Sequence, residues 1–392
     1  MINISMAAQD MLQRKIAPFW LGLMDEQYGG FYGYMDYDLN LNKKAEKGCI
    51  LNSRILWFFS EAALETNDPA CRKAADHAFE FLMNHCVDEL NGGVYWSVTY
   101  DGKPLDTTKH TYNQAFAIYA LSSYCRLTGN LQALSMATKL FYIIEDNCTD
   151  DVGYLEAFTV DWRPESNEKL SENGVMADKT MNTLLHVFEG YSGLLQAVRF
   201  PALEKAMHRI LDIYTDDIYD PDLHRQRVFF DKEYHSIIDL YSYGHDIESS
   251  WLIDWGCKVL GDASLSERVG KINSTLAEAI YQNAYRDHSV INECERGIND
   301  LTRVWWVQAE SVLGFVNEYE KSGDPKYAAA AADVWHYICD KMVDKREGSE
   351  WFWSVDNDGR PFHKPIVEPW KCPYHNGRMC LELMRRNPNV QV

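Results

Sequence analysis

The sequence lacks the features that identify several large classes of protein. Eighteen apolar residues never run together, so no segment is expected to cross a membrane as a helix. The ten cysteines include no CxxC pair, which argues against a zinc site and a disulfide framework and suits a reducing cytoplasm. The GxGxxG and Walker-type loops that bind nucleotide phosphates are missing too. The first twenty residues also lack the unbroken apolar core of a signal peptide.

Basic charge is scarce. The chain has 38 lysines and arginines against 58 acidic residues, for a net charge of -20, and no basic block offers a footprint for phosphates. Nucleic acid is therefore not an expected partner. The 46% hydrophobic and 24% charged residues are typical of a globular protein with a large core. No Pro/Ser-rich linker interrupts the 392 residues, so we expect residues 1–392 to form one domain.

A loop motif of glycine followed by aromatic residues recurs along the chain. It stands at Gly29-Gly30, Gly92-Gly93 and Gly153, and the stretch 351–353 echoes it with aromatic residues alone. Two of the loops continue into near-copies, WSVTYDGKPLD and WSVDNDGRPFH, whose Asp-Gly pairs suit tight hairpin turns. The glycine sites lie about sixty residues apart, a spacing that indicates an internal repeat.

Two helices fit between successive loops. Examples are ILNSRILWFFSEAALET followed by CRKAADHAFEFLMNHCV and, near the end, PKYAAAAADVWHYICDKMV. Six such periods fill the chain, which predicts an all-α protein. We expect an (α/α)6 barrel of six inner and six outer helices with short β-hairpin loops; the alternative is an open helical solenoid.

Unusual polar residues cluster at the start of the first helix of each period. In a barrel whose inner helices are these first helices, all six starts meet at one mouth and form one concave site. The markers are 57 to 70 residues apart and are Arg54, Tyr112, Asn182, Glu248, Trp305 and His375.

These residue types suit proton transfer next to a sugar carbonyl. Two neutral histidines such as His245 and His375 move protons near pH 7, and a cation such as Arg54 stabilises an oxyanion. Proton removal beside an aldehyde gives an enediolate; return to the opposite face epimerises the sugar, and return to the neighbouring carbon gives a ketose. Neither course needs a metal, a nucleotide or a redox cofactor, so no cofactor is expected.

Each candidate also has a structural interpretation. Arg54 could pair with Glu61, and Glu310 could neutralise Arg54 or Arg303. His186 could be a core histidine, His375 a helix cap, and His245 with Glu248 at i,i+3 half a metal site. Single tryptophans usually fill cores, but twelve tryptophans and twenty-three tyrosines together suggest faces for stacking against sugar rings.

Six segments resemble the cellobiose 2-epimerases of the N-acylglucosamine 2-epimerase superfamily, over essentially the whole chain. They are GGFYGYMDYDL, KGCILNSRILWFFSEA, MNTLLHVFEGYSGLL, YGHDIESSWLI, RVWWVQAE and EPWKCPYHNGRMCLE. The resemblance implies an (α/α)6 barrel that reversibly converts cellobiose to 4-O-β-D-glucopyranosyl-D-mannose by epimerisation at C2. Lactose, mannobiose-like and other β-1,4-linked disaccharides are then further expected substrates, and a cytoplasmic monomer is expected.

The resemblance also implies roles for individual residues. His245 and His375 match the acid/base pair that exchanges the C2 proton through a cis-enediolate, and Arg54 matches the residue that steadies the enediolate oxygens. His186, with Asn182 beside it, matches a histidine that helps to open the sugar ring. The remaining matches are Glu248, a carboxylate that orients its histidine and binds hydroxyls; Trp306 and Trp370, the platforms for the reducing-end and non-reducing-end sugars; and the supporting positions Tyr112, Trp251, Trp305 and Glu310.

Several other functions remain open at this point. Within the superfamily they are an N-acetylglucosamine 2-epimerase and an aldose-ketose isomerase acting on free mannose. A glycoside hydrolase on the same fold would need two carboxylates flanking the glycosidic bond, for which Glu248 and Glu310 are available. A non-catalytic sugar-binding protein would need the tryptophans but none of the proton-transfer groups.

Overall fold

The computed structural model describes residues 2–169 and 174–392, in which helices predominate. In chain order the helices are α1 (Ile4–Met11), α2 (Ala17–Leu21), α3 (Cys49–Thr66), α4 (Pro69–Phe81), α5 (Thr111–Thr128), α6 (Leu131–Asn147), α7 (Met181–Ala197), α8 (Pro201–Ile213), α9 (Tyr243–Leu260), α10 (Ala263–Asn283), α11 (Trp305–Ser322), α12 (Pro325–Tyr337) and α13 (Tyr374–Arg386). Short strands join them: β1 (Lys47–Gly48), β2 (Ser97–Val98), β3 (Pro104–Asp106), β4 (Lys109–His110), β5 (Ala157–Phe158), β6 (Lys179–Thr180), β7 (Tyr219–Asp220), β8 (Arg225–Gln226), β9 (Phe229–Phe230), β10 (Leu240–Ser242), β11 (Tyr285–Arg286), β12 (Ser289–Val290), β13 (Glu293–Glu295), β14 (Ile298–Asp300), β15 (Arg303–Val304) and β16 (Ser354–Val355).

Six helices, α3, α5, α7, α9, α11 and α13, form a closed inner ring. Each packs against the next, and α13 packs back against α3. The even-numbered helices α4 to α12 lie outside, and α1 completes the outer layer against α13. The predicted (α/α)6 barrel is therefore confirmed, with α1 and α2 together as the sixth outer member.

The two layers differ in how much of each helix is buried. In α3 every residue from Cys49 to Ala63 is buried, as expected for a helix surrounded by others. In α8 only one stripe is buried, including Leu203, Met207 and Ile210. The outer helices are amphipathic because one face meets water.

The outer helices α4, α8 and α12 each end in a π-helical turn, which the sequence did not predict. The sequence predicts uninterrupted helices to about residues 87 and 343, but α4 and α12 pass into the π-helical turns Leu82–Cys86 and Ile338–Met342. Similar turns lie at Tyr214–Ile218 after α8 and at Leu12–Ile16 between α1 and α2. The first twenty residues, to which the pattern assigns no helix, thus contribute an outer helix with such a turn in its middle.

The loop repeat has a structural basis in buried ion pairs. A lysine two residues before an inner helix binds an aspartate that follows an outer element, and the lysine side chains are fully buried. The Nζ to carboxylate distances are 2.7 Å for Lys47–Asp25, 2.9 Å for Lys109–Asp88 and 2.8 Å for Lys179–Asp150. The first two lysines also donate to the carbonyls of Gly29 and Gly92. These bonds fix the loops over the starts of the inner helices.

The two Asp-Gly sequences form the expected turns. Gly102 (φ +84°) lies between β2 and β3, and Gly359 (φ +79°) lies between β16 and its bridge partner Pro361. Both glycines occupy the left-handed region that side chains disfavour. Among the described residues we find no helix with the length and apolar character needed to cross a membrane.

Candidate active site

The starts of the inner helices surround one cavity of about 560 Å³. Ten of the twelve residues predicted from the sequence line it: Arg54, Tyr112, Asn182, His186, His245, Glu248, Trp305, Trp306, Trp370 and His375. The other two, Trp251 and Glu310, are buried beneath its floor, where the indole Nε1 of Trp251 donates to Glu310 at 2.9 Å.

His245 and His375 both pack against one tryptophan. The centre of the Trp306 ring is 4.9 Å from that of His245 and 5.4 Å from that of His375. Gly244 is the second residue of α9. A Cβ atom there would stand 2.4 Å from the Trp306 ring, so glycine is needed for the indole to pack this close to the start of α9.

His375 is held by a carboxylate. Its Nδ1 lies 2.7 Å from Glu310 Oε1, and both side chains are buried. Burial raises the pKa of Glu310; burial, followed by Arg378, holds the pKa of His375 well below its usual value. Since Nδ1 is engaged with Glu310, Nε2 is the nitrogen left for the cavity.

Arg378, on the same helix as His375, connects three buried acids. Its guanidinium donates to Glu189 at 2.5 Å, to Glu310 at 2.7 Å and to Glu248. Sequence reasoning missed this residue, although it lies three positions after His375 in a segment that carries the family resemblance.

The arginine also bears on the metal-site interpretation of this region. Oxygen atoms of Glu248 and Glu310 and a nitrogen of His375 lie within 4.8 Å of one another, close enough to share a metal ion. The histidine of this possible metal site is His375, whereas the sequence suggested a pairing of Glu248 with His245. The guanidinium of Arg378 already supplies a positive charge to both carboxylates.

Glu248 has one oxygen engaged and one free. Oε1 accepts from Arg378 and lies 3.9 Å from His375 Nδ1, whereas Oε2 has no hydrogen-bond partner among the described residues. Burial, with repulsion from Glu310, raises the Glu248 pKa to about 7. Glu248 is thus in contact with His375, whereas the contact of His245 Nδ1 is with the hydroxyl of Ser242, at 2.6 Å.

Arg54 is a buried cation that has no acidic partner in the described part of the chain. Its Nη2 donates to the hydroxyl of Tyr112 at 2.7 Å, and its guanidinium carbon lies 4.1 Å from the centre of the Phe116 ring. Glu61, the partner suggested by the sequence, binds Arg126 and Arg385 instead. None of the described carboxylates forms an ion pair with Arg54, which leaves its charge available to the cavity.

His186 repeats the arrangement of His375. Its Nδ1 lies 2.8 Å from Glu189 Oε2, and Glu189 in turn accepts from Arg378 and from the Tyr374 hydroxyl. The ring of His186 packs against Tyr112, with 5.0 Å between ring centres. A histidine on a carboxylate therefore faces the cavity from α7 as well as from α13.

The outer part of the cavity is built by loops that sequence reasoning assigned only in part. Lys364 lies over the ring of Trp353, with its Nζ 3.5 Å from the ring centre. Trp353 belongs to the recurring aromatic loops, which was the only available signal for this region. The lining residues missed by the sequence analysis are Lys169, Ser242, Asn292, Glu293, Asp300, Thr302, Val304, Trp353, Ser354, Phe362 and Lys364.

Comparison with known proteins gives consistent matches. A family model for N-acylglucosamine 2-epimerase (GlcNAc 2-epimerase) matches residues 30–377. The chain is 52% identical to the cellobiose 2-epimerase of Eubacterium cellulosolvens, over 95% of this chain and 96% of the relative. A crystal structure of a sugar epimerase from a ruminal bacterium superposes with a TM-score of 0.97 at 46% identity, over 99% of this chain and 100% of that one. The cellobiose 2-epimerase of Bacillus thermoamylovorans gives 0.94 at 42% identity, over 98% and 99%.

Proposed function

The chain belongs to the N-acylglucosamine 2-epimerase family, and on that premise we propose that it is an epimerase acting at C2 of the reducing-end glucose of cellobiose. The product is 4-O-β-D-glucopyranosyl-D-mannose, and the reaction is reversible. Lactose and other β-1,4-linked disaccharides are further substrates. High identity to cellobiose 2-epimerases over nearly the full length of both chains supports this assignment.

His245 and His375 are the acid/base pair. One enters as a neutral imidazole and takes the C2 proton of the open-chain aldose on Nε2; the other enters as an imidazolium and gives its Nε2 proton to the opposite face, which inverts the carbon. The contact of both rings with Trp306 supports these roles, because a sugar stacked on that indole lies near both histidines.

Arg54 stabilises the cis-enediolate that forms between the two steps. The negative charge lies on the oxygens at C1 and C2, and a buried guanidinium without a carboxylate partner binds it more strongly than a neutralised one. Tyr112 orients the guanidinium by accepting its hydrogen bond. His186, with Asn182 beside it, moves the proton needed to open the sugar ring.

The carboxylates act one step away from the reacting carbon. Glu310 keeps the proton of neutral His375 on Nδ1, so that Nε2 can accept one, and Trp251 and Arg378 hold Glu310 in place. Glu248 binds substrate hydroxyls through its unpartnered oxygen. Trp306 and Trp370 stack on the reducing-end and non-reducing-end sugars, with Trp305 in support.

The broader properties follow the same proposal. Residues 1–392 form one catalytic domain, the protein is a cytoplasmic monomer, and the reaction needs neither a metal ion nor a cofactor. A hydrolase is disfavoured because Glu248 and Glu310 bind the same guanidinium, whereas a hydrolase needs its two carboxylates on either side of a bond.

The observation that carries the proposal is the convergence of His245, His375 and Arg54 on one cavity. The test is incubation with cellobiose in D2O while C2 is followed by NMR. Deuterium should enter C2 as the mannose epimer appears, without added metal or nucleotide. Free glucose as the main product would establish hydrolysis instead, a ketose as the main product would establish an isomerase, and binding without conversion would establish a sugar-binding protein.

A further inference from the structure

The three cavity histidines are not held in the same way. Nδ1 of His186 faces Glu189 and Nδ1 of His375 faces Glu310, whereas Nδ1 of His245 lies 2.6 Å from the hydroxyl of Ser242. Two histidines are therefore backed by acidic side chains, and the third by a neutral hydroxyl.

Ser242 contacts His245 although it stands at a position where serine normally caps a helix. Ser242 occupies the N-cap of α9, where a serine usually accepts a hydrogen bond from the backbone of the first turn. Its side chain makes no such bond. Thr180, the N-cap of the inner helix α7, does cap its helix, by accepting from the amide of Thr183 at 3.0 Å. The Ser242 hydroxyl is thus directed to the imidazole at the expense of its ordinary capping role.

Neighbouring elements fix the position of the hydroxyl. Ser242 is the last residue of β10 and pairs with Glu293 of β13. Its side chain lies at the cavity wall and is largely buried. The carbonyl of His245 is held on the other side by the Gln226 side chain at 3.4 Å. The strand pairing of Ser242 and the contact of Gln226 with His245 therefore hold both partners at the start of α9.

We infer that Ser242 is a positioning residue for His245: its hydroxyl accepts the Nδ1 proton and so keeps Nε2 turned to C2 of the sugar. This inference rests on the proposed function. The same bond serves both directions of the reaction. When His245 removes the C2 proton it is neutral, with its own proton on Nδ1, and it accepts on Nε2. In the reverse direction the imidazolium keeps the Nδ1 proton and gives the Nε2 proton to C2.

The consequence is that loss of the hydroxyl weakens proton transfer at one face of the carbon only. The bond between Glu310 and His375 lies on α11 and α13 and does not involve Ser242. In Ser242→Ala, transfer by His245 should fall by about 10-fold, the value of one hydrogen bond. Transfer by His375 should change much less.

The first experiment measures both faces. Cellobiose and its mannose epimer are incubated separately in D2O with the wild type, Ser242→Ala and Ser242→Thr, and entry of deuterium into C2 of the unconverted substrate is followed by NMR. We expect Ser242→Ala to slow exchange into one epimer, and epimerisation itself, about 10-fold more than exchange into the other epimer. Ser242→Thr, which keeps the hydroxyl, should restore the wild-type proportion. Equal loss for both epimers, or none, would overturn the inference.

A matched control and a second readout separate positioning from stability. Thr180→Ala removes a hydroxyl from the start of another inner helix, and it should lower stability without changing the proportion of the two exchange rates. The tautomer of His245 is measured by ¹⁵N NMR of histidine-labelled protein, with His245→Gln to assign the signal. Protonation at Nδ1 in the wild type is expected, and protonation at Nε2 would refute the inference. Failure of the wild type to epimerise cellobiose would instead refute the proposed function, since the tautomer does not depend on activity.

Discussion

His375 Nδ1 and Glu310 Oε1 lie 2.7 Å apart at the floor of the cavity, and Arg378 binds the same carboxylate oxygen. This places a proton-transfer group, its partner and a compensating cation within one hydrogen-bonded unit.

Glu310→Gln keeps the size of the side chain but replaces the acidic acceptor, so that an amide can donate to Nδ1 and leave the proton of neutral His375 on Nε2. We expect kcat for cellobiose to fall by about 10²-fold or more in this variant, and by a similar factor in His375→Ala and in His245→Ala. Glu318→Gln on the same helix, at the far end from the cavity, should retain activity; normal turnover in Glu310→Gln would remove the pair from the mechanism.

Trp370 should determine the preference for a disaccharide. Loss of the stacking face in Trp370→Ala should raise KM for cellobiose by about 5-fold while kcat changes less, because stacking contributes on the order of 1 kcal/mol. Trp370→Phe should recover most of the affinity. Steady-state kinetics with cellobiose and free mannose measure the effect. An equal loss for the monosaccharide would show that the indole does not contact a second sugar.

Chelation should leave the rate unchanged. The acids nearest to His375 already bind the guanidinium of Arg378, so a divalent cation would have to displace it. The check is epimerisation after dialysis against EDTA, with Mg²⁺, Mn²⁺ or Zn²⁺ added back to separate samples. Activity that is lost on dialysis and restored by one ion would contradict this expectation.

The protonation of Glu248 should give stability a characteristic pH dependence. Burial, with repulsion from Glu310, raises its pKa from 4.5 to about 7, so between these values the folded protein keeps a proton that the unfolded chain has released. The Glu248 contribution therefore destabilises the fold progressively as pH rises through this window. In Glu248→Gln the free energy of unfolding relative to the wild type should rise by up to about 3 kcal/mol between pH 5 and pH 8.

Urea unfolding at four pH values between these limits measures the effect. The control is Glu347→Gln, a substitution on an exposed loop residue that should leave the pH dependence unchanged. A parallel pH dependence for Glu248→Gln and the wild type would show that this carboxyl is ionised over the whole range.

The buried lysine pairs should be essential to stability. Lys109→Met leaves Asp88 without its partner where both side chains are at most 1% exposed, at a cost of about 3–5 kcal/mol. The double variant Asp88→Asn with Lys109→Met should recover part of the loss. Lys103→Met removes an exposed lysine paired with Asp101 and should change stability by less than about 0.5 kcal/mol. The measurement is the Tm of each variant in thermal unfolding. Similar small decreases in Tm for Lys109→Met and Lys103→Met would show that the buried pair is dispensable.

The sequence predicts the barrel because its repeat is visible in two independent ways. Loop motifs recur about every sixty residues, and two helical stretches fit between successive loops. Given a ring, the starts of its inner helices must share a mouth, and this brings His245 and His375 together from distant parts of the chain.

Contacts between side chains on different helices are less accessible to such reasoning. Arg378 stands in a stretch that reads as an ordinary charged helix, and nothing local shows that Glu189, Glu248 and Glu310 converge on it. The contact of Ser242 with His245 and the contact of Glu248 with His375 both depend on the rotation of α9 about its own axis. Spacing along one helix does not give that rotation relative to its neighbours.

The dependence of three acids on Arg378 also bears on how the molecule is made. Glu189, Glu248 and Glu310 lie on α7, α9 and α11, and the cation that compensates them lies on α13. A nascent polypeptide in which α13 has not yet been translated would have to bring three carboxylates together without a counter-charge. Compaction of its interior should therefore wait until α13 has been translated, and a product terminated before α13 should be degraded by proteases.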